Sequence, residues 1–250
     1  MSLMLHTGGK TVGVHELNRS PLPVATRSFR PIHHGDFLNT VREALTAQHL
    51  EVVEETHGLW GRDDARYFGV LSVRNGVNHD DRSLVVGVRN SHDKSFPAGL
   101  VIGTRVFVCD NLSFSGEVKL IRKHTARINE DLPGLVSGAV GKIAEVRRMQ
   151  DKRIETYKNR EVSPMEAHDL IVRAMDLGVI GPMGVEQVLQ SWRKPEHPEF
   201  VPRNAWSLFN AFTERQKGID NLNLVARRTM SLHGLLDSHV GLVFDTAILN

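Results

Sequence analysis

The chain has 250 residues, a formal net charge of +2 and a single cysteine, Cys109. That length supports a sizeable core without disulfide or metal staples, and a lone cysteine excludes an intramolecular disulfide framework. The opening MSLMLHTGGK has neither the charged nor the apolar region of a signal peptide, and every apolar run is broken far short of the ~20 residues a spanning helix needs. The expectation is a cytoplasmic protein with no membrane partner.

Residues 1–34, with Gly8-Gly9, Pro21, Pro23 and Pro31, carry no sustained periodicity and are expected to form an N-terminal arm, ordered only by docking. From Asp36, the positions Phe37, Leu38, Val41, Ala44 and Leu45 fall on one helical face, with Asp36 able to cap the first turn and an end near Leu50. Four apolar, β-branched runs follow at 50–57, 66–74, 82–90 and 100–109, separated by turn residues. In the third, Leu84, Val86 and Val88 alternate with Ser83, Val85, Gly87 and Arg89, so helices must cover one face. Asn75-Gly76 suits a tight reversal at a solvated hairpin tip.

After Pro133 the spacing turns helical: Leu135, Ala139, Ile143, Val146, Met149 and Ile154 share one side of what reads as a single helix running to Arg160. Ser163-Pro164-Met165-Glu166 is a capping box that starts the next helix, and further helices are expected at 182–192, 204–217 and 222–239. The fold class is therefore α+β: an antiparallel β-meander with a preceding helix, then a helical C-terminal half. The regions are 1–34 (arm), 35–130 (sheet) and 131–250 (helical, sharing the core), with the change near 128–134.

Catalytic signals are sparse. Cys109 ends an apolar strand, where cysteine packs as a small hydrophobe. His33, His34, His57, His79, Asp80, Asp81 and His92 are metal-ligating types, but none has the spacing of H-E-x-x-H or C-x-x-C. Phosphate loop, dinucleotide fingerprint and nucleophile elbow are all absent. Glu54-Glu55 and Asp80-Asp81 are adjacent carboxylates, but strand neighbours point to opposite faces and loop acids are solvated. The reading is non-enzymatic and without cofactor or metal. The enzymatic alternative is a metal-dependent nuclease using the His and Asp residues between His79 and Asp93.

Between Lys119 and Arg160 stand eleven Lys and Arg against five Asp and Glu, so this stretch is about +6 and the remainder about −4. Lys119, Arg122, Lys123, Arg127, Arg147, Arg148, Lys152 and Arg153 form a candidate phosphate track, extended on the strands by Arg62, Arg66, Arg74, Arg89 and Arg105. Each Lys or Arg set on a phosphate releases condensed counterions, although a charge run is usually just a solvated face. Stacking platforms are few. Trp60 and Tyr67, beside Arg62 and Arg66, stand out from Phe96, Phe107, Phe114 and Tyr157, while Trp206, Phe209 and Phe212 at helical spacing are assigned to the core. The expected ligand is single-stranded DNA, gripped with little sequence preference by homo-oligomers along the strand.

A resemblance is carried by Arg89-Asn90-Ser91-His92-Asp93-Lys94-Ser95, by Arg105-Val106-Phe107-Val108-Cys109-Asp110-Asn111-Leu112 and by Asn204-Ala205-Trp206-Ser207-Leu208-Phe209-Asn210-Ala211-Phe212-Thr213-Glu214. With the ending Leu232-His233-Gly234-Leu235-Leu236-Asp237, the chain resembles, over about residues 35–240, the phage/plasmid-like proteins, a family of unknown function. The resemblance implies an early phage product in the cytoplasm of an infected bacterial host. Size and mild basicity are also similar to the single-stranded-DNA-binding cofactors with which some lytic phages let their own RNA polymerase start middle transcription. The helix-then-meander order resembles the single-strand annealing proteins of phage recombination. A phage RNA polymerase or a recombination protein is thus the implied partner, and a module that inhibits a host factor through the helical half is the alternative. The motif Asn90-Ser91-His92-Asp93 is open between turn-making and ligand contact.

Overall fold

The structure, a computed structural model, describes residues 9–74, 82–106, 111–216 and 222–244, and within them the side chains other than those of residues 82, 83, 104–106, 111–119, 216, 222, 223 and 226. In chain order the elements are β1 (Lys10–Val12), α1 (His34–Ala47), β2 (Glu51–Trp60), β3 (Arg66–Arg74), β4 (Arg82–Ser91), β5 (Ala98–Val106), β6 (Asn111–Arg122), α2 (Ile128–Gly141), α3 (Ile143–Asn159), α4 (Pro164–Asp176), α5 (Pro182–Arg193), α6 (Ala205–Gln216) and α7 (Leu222–Val240). The protein is α+β: an antiparallel six-stranded sheet in the order β1-β2-β3-β4-β5-β6, a helix inserted before its main strands, and a helical C-terminal half. Among the described residues no helix is long and apolar enough to cross a membrane. The chain divides into two compact units, Met1–Gly103 with Val118–Ala144, and Thr104–Glu117 with Glu145–Asn250.

In the first unit, Phe37, Leu38, Val41 and Leu45 are fully buried on one stripe of α1, which packs against β2, β4 and α2. Each such side chain contributes about 1.5–3 kcal/mol on burial. Strand register decides what faces that helix. Leu59 pairs with Tyr67 and Tyr67 with Asn90, so these residues share the core face with His57, Leu71, Val86 and Val88. Trp60 pairs with Arg66 and Phe68 with Arg89, which places that set on the opposite face. Gly69 lies where any Cβ would come within 2.2 Å of the Tyr67 hydroxyl, so only glycine lets the buried Tyr67 reach Nδ1 of His57 at 3.1 Å.

The N-terminal arm is docked. Lys10–Val12 pairs with His57–Leu59 as β1, a strand too short to leave a periodic signal, and Leu17, Ser20, Phe29 and Ile32 are buried. The arm also caps α1. Gly35 N–H donates to Asn18 Oδ1 at 2.9 Å, and the helix begins at His34, so the expected cap Asp36 lies inside the first turn. A Cβ on residue 35 would fall 2.5 Å from that Asn18 oxygen, which ties glycine to this position.

Three further differences have local causes. β6 lies beyond the four strand runs that the sequence marks, the last of which ends at Cys109, because Ser113, Ser115, Gly116 and Glu117 dilute its apolar signal. The single helix expected to run to Arg160 is two helices parted at Lys142, after Gly138 and Gly141 have weakened the helical preference. The first unit ends at Ala144 rather than near residue 130, because α2 packs on α1: strands give way to helices before one core gives way to the other. The expected hairpin tip at residues 75–81 lies outside the described residues.

The second unit is helical around Tyr157, Leu170, Ile171, Val188, Trp206, Phe209, Phe212, Leu232 and Leu236. α4 starts as its sequence dictates: Glu166 N–H donates to Ser163 Oγ at 3.3 Å, and the Glu166 carboxylate accepts from Ser163 N–H at 2.8 Å.

Candidate nucleic-acid interface

Trp60 ends β2 on the face turned away from α1, and Phe96 rises beside it from the loop after β4. Their rings stack with centroids 5.9 Å apart at 28°, and both are partly exposed. The Arg89 guanidinium lies 5.5 Å from the Phe96 centroid, a cation–π contact. Arg66, the cross-strand partner of Trp60, completes the group. The result is a two-ring aromatic ledge with cationic side chains along it.

The loop holds Phe96 through backbone hydrogen bonds. Ser91 is fully buried, and its Oγ donates to the Phe96 carbonyl at 2.7 Å and accepts from Phe96 N–H at 3.2 Å. Asp93 accepts from Ser95 N–H at 3.0 Å through one oxygen and from Arg66 Nε at 2.7 Å through the other. Burial pushes the Asp93 carboxyl up, but the Ser95 and Arg66 hydrogen bonds outweigh it and hold the group below the ordinary aspartate range. Asp93 is therefore an anion at neutral pH and keeps Arg66 oriented.

Beneath the loop is a buried network that docks the arm. His92 Nε2 is 2.9 Å from the Ile32 carbonyl, and His34 Nε2 is 3.2 Å from the Asp64 carbonyl. Carbonyls only accept, so each Nε2 carries its proton. Asn90 then donates to the Ile32 carbonyl at 2.8 Å and to His34 Nδ1 at 3.0 Å, and its Oδ1 accepts from His124 Nε2 at 2.7 Å. The His34 and His92 rings stack at 3.9 Å and 4°. Burial, with repulsion from His92 added, pushes His34 down to about 3; the same two causes take His124 down to about 4. These histidines are neutral, and the Asn90–His92 motif builds structure: a second proton on His34 would set a donor against the Asn90 amide.

The expected site residues divide sharply. Arg66, Arg89 and Trp60 come together at the ledge, whereas Arg62, two residues beyond Trp60, is 95 % exposed with Asp63 3.6 Å away and makes no cation–π contact with either ring. Tyr67, expected as a platform, is buried against His57 and His34 on the opposite face, so its ring is not presented to a base. Arg74 and Lys123 are exposed, whereas the side chains of Arg105 and Lys119 lie outside the described ones.

Four arginines of the basic stretch pair with carboxylates of the same stretch. Arg122 pairs with Asp131, Arg127 with Glu130 at 3.3 Å and Asp131 at 3.8 Å, Arg147 with Asp151 at 3.8 Å, and Arg148 with Glu145. Lys152 is exposed on α3. Arg153 is buried, with three hydrogen bonds of 2.8–3.1 Å to Asp237, which also accepts from Tyr157 OH at 2.6 Å. Exposed pairs are worth only about 0–1 kcal/mol and can be exchanged for a phosphate, but a buried fork cannot. Arg153 is thus a structural residue of the second unit.

Among the described residues no group of three or more His, Cys, Asp or Glu could hold a metal ion. His79, Asp80, Asp81, Cys109 and Phe107 lie outside the described residues, and the Phe114 side chain lies outside the described ones. Phe96 stands among the platform candidates of the sequence but behind Trp60 and Tyr67, because its position beside Trp60 depends on the hold of Ser91 on its backbone.

No protein-family model, no curated protein and no solved structure matches this chain.

Proposed function

We propose that the protein is a non-enzymatic single-stranded DNA-binding protein, whose first unit stacks bases on Trp60 and Phe96 while Arg62, Arg66 and Arg89 neutralise the flanking phosphates. The observation that carries this reading is the ledge itself. Two partly exposed rings in stacking contact, one of them under an arginine, are costly to leave in water and match the π-face that every base offers. A duplex hides its base faces, so the ledge favours single strands. In the same unit, the exposed pair of Arg127 supplies a further exchangeable cation.

The resemblance to phage/plasmid-like proteins favours a role as a cofactor that presents single-stranded DNA to a phage RNA polymerase in the infected cytoplasm, as an oligomer along the strand. A second reading, strand annealing in recombination, is favoured by the order of α1 before the meander. Joining of complementary oligonucleotides would separate it from simple coating.

Intrinsic fluorescence tests the central reading. Of the three tryptophans, Trp192 and Trp206 are buried and Trp60 is partly exposed. Oligo(dT) should quench the emission, a matched duplex should quench far less, and Trp60→Phe should abolish the change. Quenching that persists in Trp60→Phe would place the contact elsewhere.

A further inference from the structure

The ten-residue strand β2 is covered on its outer side only at His57–Leu59, by the three residues of β1; among the described residues no other strand pairs there. Glu51–Thr56 therefore forms a sheet edge. Beside it a cleft of about 810 Å³ runs between Arg42, Thr46 and His49 at the end of α1 and residues 50–55. The register shifts between Val52 and Glu54, and Val53 is 44 % exposed at that irregularity, an apolar side chain set on an open edge. Glu51 and Glu54 are exposed along it, and Glu55 also lines the cleft. The Glu55 carboxylate accepts from Arg42 through Oε1, while Oε2 is buried without a hydrogen-bond partner.

We propose that this edge docks an extended, lysine- or arginine-rich segment of a partner protein by strand addition, with an apolar residue against Val53 and cations along the exposed Glu51 and Glu54. An exposed edge offers main-chain hydrogen bonds to any extended chain, and its side chains choose the occupant. The exposed Glu51 and Glu54 repel a nucleic-acid backbone. A second copy adding through the same edge would set those glutamates against themselves, and like charges opposed across strands are destabilising. A cationic extended segment satisfies both the open edge and the exposed carboxylates along it. Trp60 sits at the far end of β2, so the surface serves partner recruitment and is independent of the ledge.

The test is anisotropy of a fluorescein-labelled peptide, Lys-Val-Lys-Thr-Lys-Val-Lys-Thr, titrated with the full chain at about 50 mM salt. Three controls accompany it: the same peptide with glutamate for lysine, a form N-methylated on alternate amides, and the protein variant Glu54→Lys. We expect saturable binding to the lysine peptide, at least about tenfold weaker binding with each control, and no change with Trp60→Ala. No binding of the lysine peptide overturns the proposal. So does equal binding of the N-methylated form, since strand addition needs the amides that charge attraction alone does not.

Discussion

The ledge of the first unit and the cation-rich helix α3 of the second hold arginines beside different neighbours. At the ledge, Arg89 lies over Phe96, and Arg66, the cross-strand partner of Trp60, is held by Asp93 at 2.7 Å, so positive charge borders partly exposed aromatic surface. On α3, Arg147 and Arg148 face acids three and four residues away, and Arg153 is locked on Asp237. The stretch densest in cations pairs four of its eleven with its own carboxylates, while the sparser ledge sets cations beside partly exposed rings. Counting charges along a sequence measures neither pairing nor neighbourhood.

The sharpest way to break this comparison is to separate structural from binding arginines. Arg153→Met leaves the Asp237 carboxylate buried without its cation and should lower stability by about 3–5 kcal/mol in urea unfolding, the largest effect foreseen here. If unfolding is unchanged, the fork is not structural and Arg153 returns to the list of candidate phosphate ligands.

The second prediction concerns pH. His34 and His124 hold folded-state values of about 3 and about 4, below the ~6.5 of an unfolded histidine. The unfolded chain therefore binds more protons in acid, and the stability these groups contribute is complete above ~6.5 and lost as pH falls towards the folded values. The loss should be about 1.4 kcal/mol per pH unit for each histidine. Asn90→Asp sets an acceptor against both rings, raises their values and should flatten or reverse that slope between pH 7 and 5. An unaltered slope would mean that the network does not control the acid response.

A smaller effect is expected at the positioning residue Ser91. Ser91→Ala removes both hydrogen bonds to the Phe96 backbone and should weaken oligo(dT) binding about three- to tenfold. Ser91→Thr keeps the hydroxyl and should restore it. The smallest belongs to α3: Arg147→Ala with Arg148→Ala should reduce affinity less than about threefold while lowering the salt slope, since the exposed Arg148 pair is cheap to exchange.

Some of this was legible in the sequence. β3 has the bounds that its β-branched run marks, and Ser163 announces α4 through a capping box that forms as written. Trp60 was picked out by its neighbours Arg62 and Arg66. Register was the missing information for Tyr67: only the pairing of Leu59 with Tyr67 and Trp60 with Arg66 reveals that the two aromatics face opposite ways. Contacts between distant segments were hidden for the same reason. Asn18 capping α1, Ser91 holding Phe96 and Asn90 joining three histidines all depend on closure of the sheet, and no local pattern encodes them.

The central claim is that the ledge, and not the basic stretch, grips single strands. Anisotropy of labelled oligo(dT) across about 50–300 mM salt tests it directly, comparing Trp60→Ala with Phe96→Ala against Arg147→Ala with Arg148→Ala. The account predicts an affinity loss of about 1–3 kcal/mol per ring for the ledge variant at every salt concentration, and only a shallower salt slope for the helix variant. The reverse pattern, with the helix variant losing affinity and the ledge variant binding normally, would contradict it.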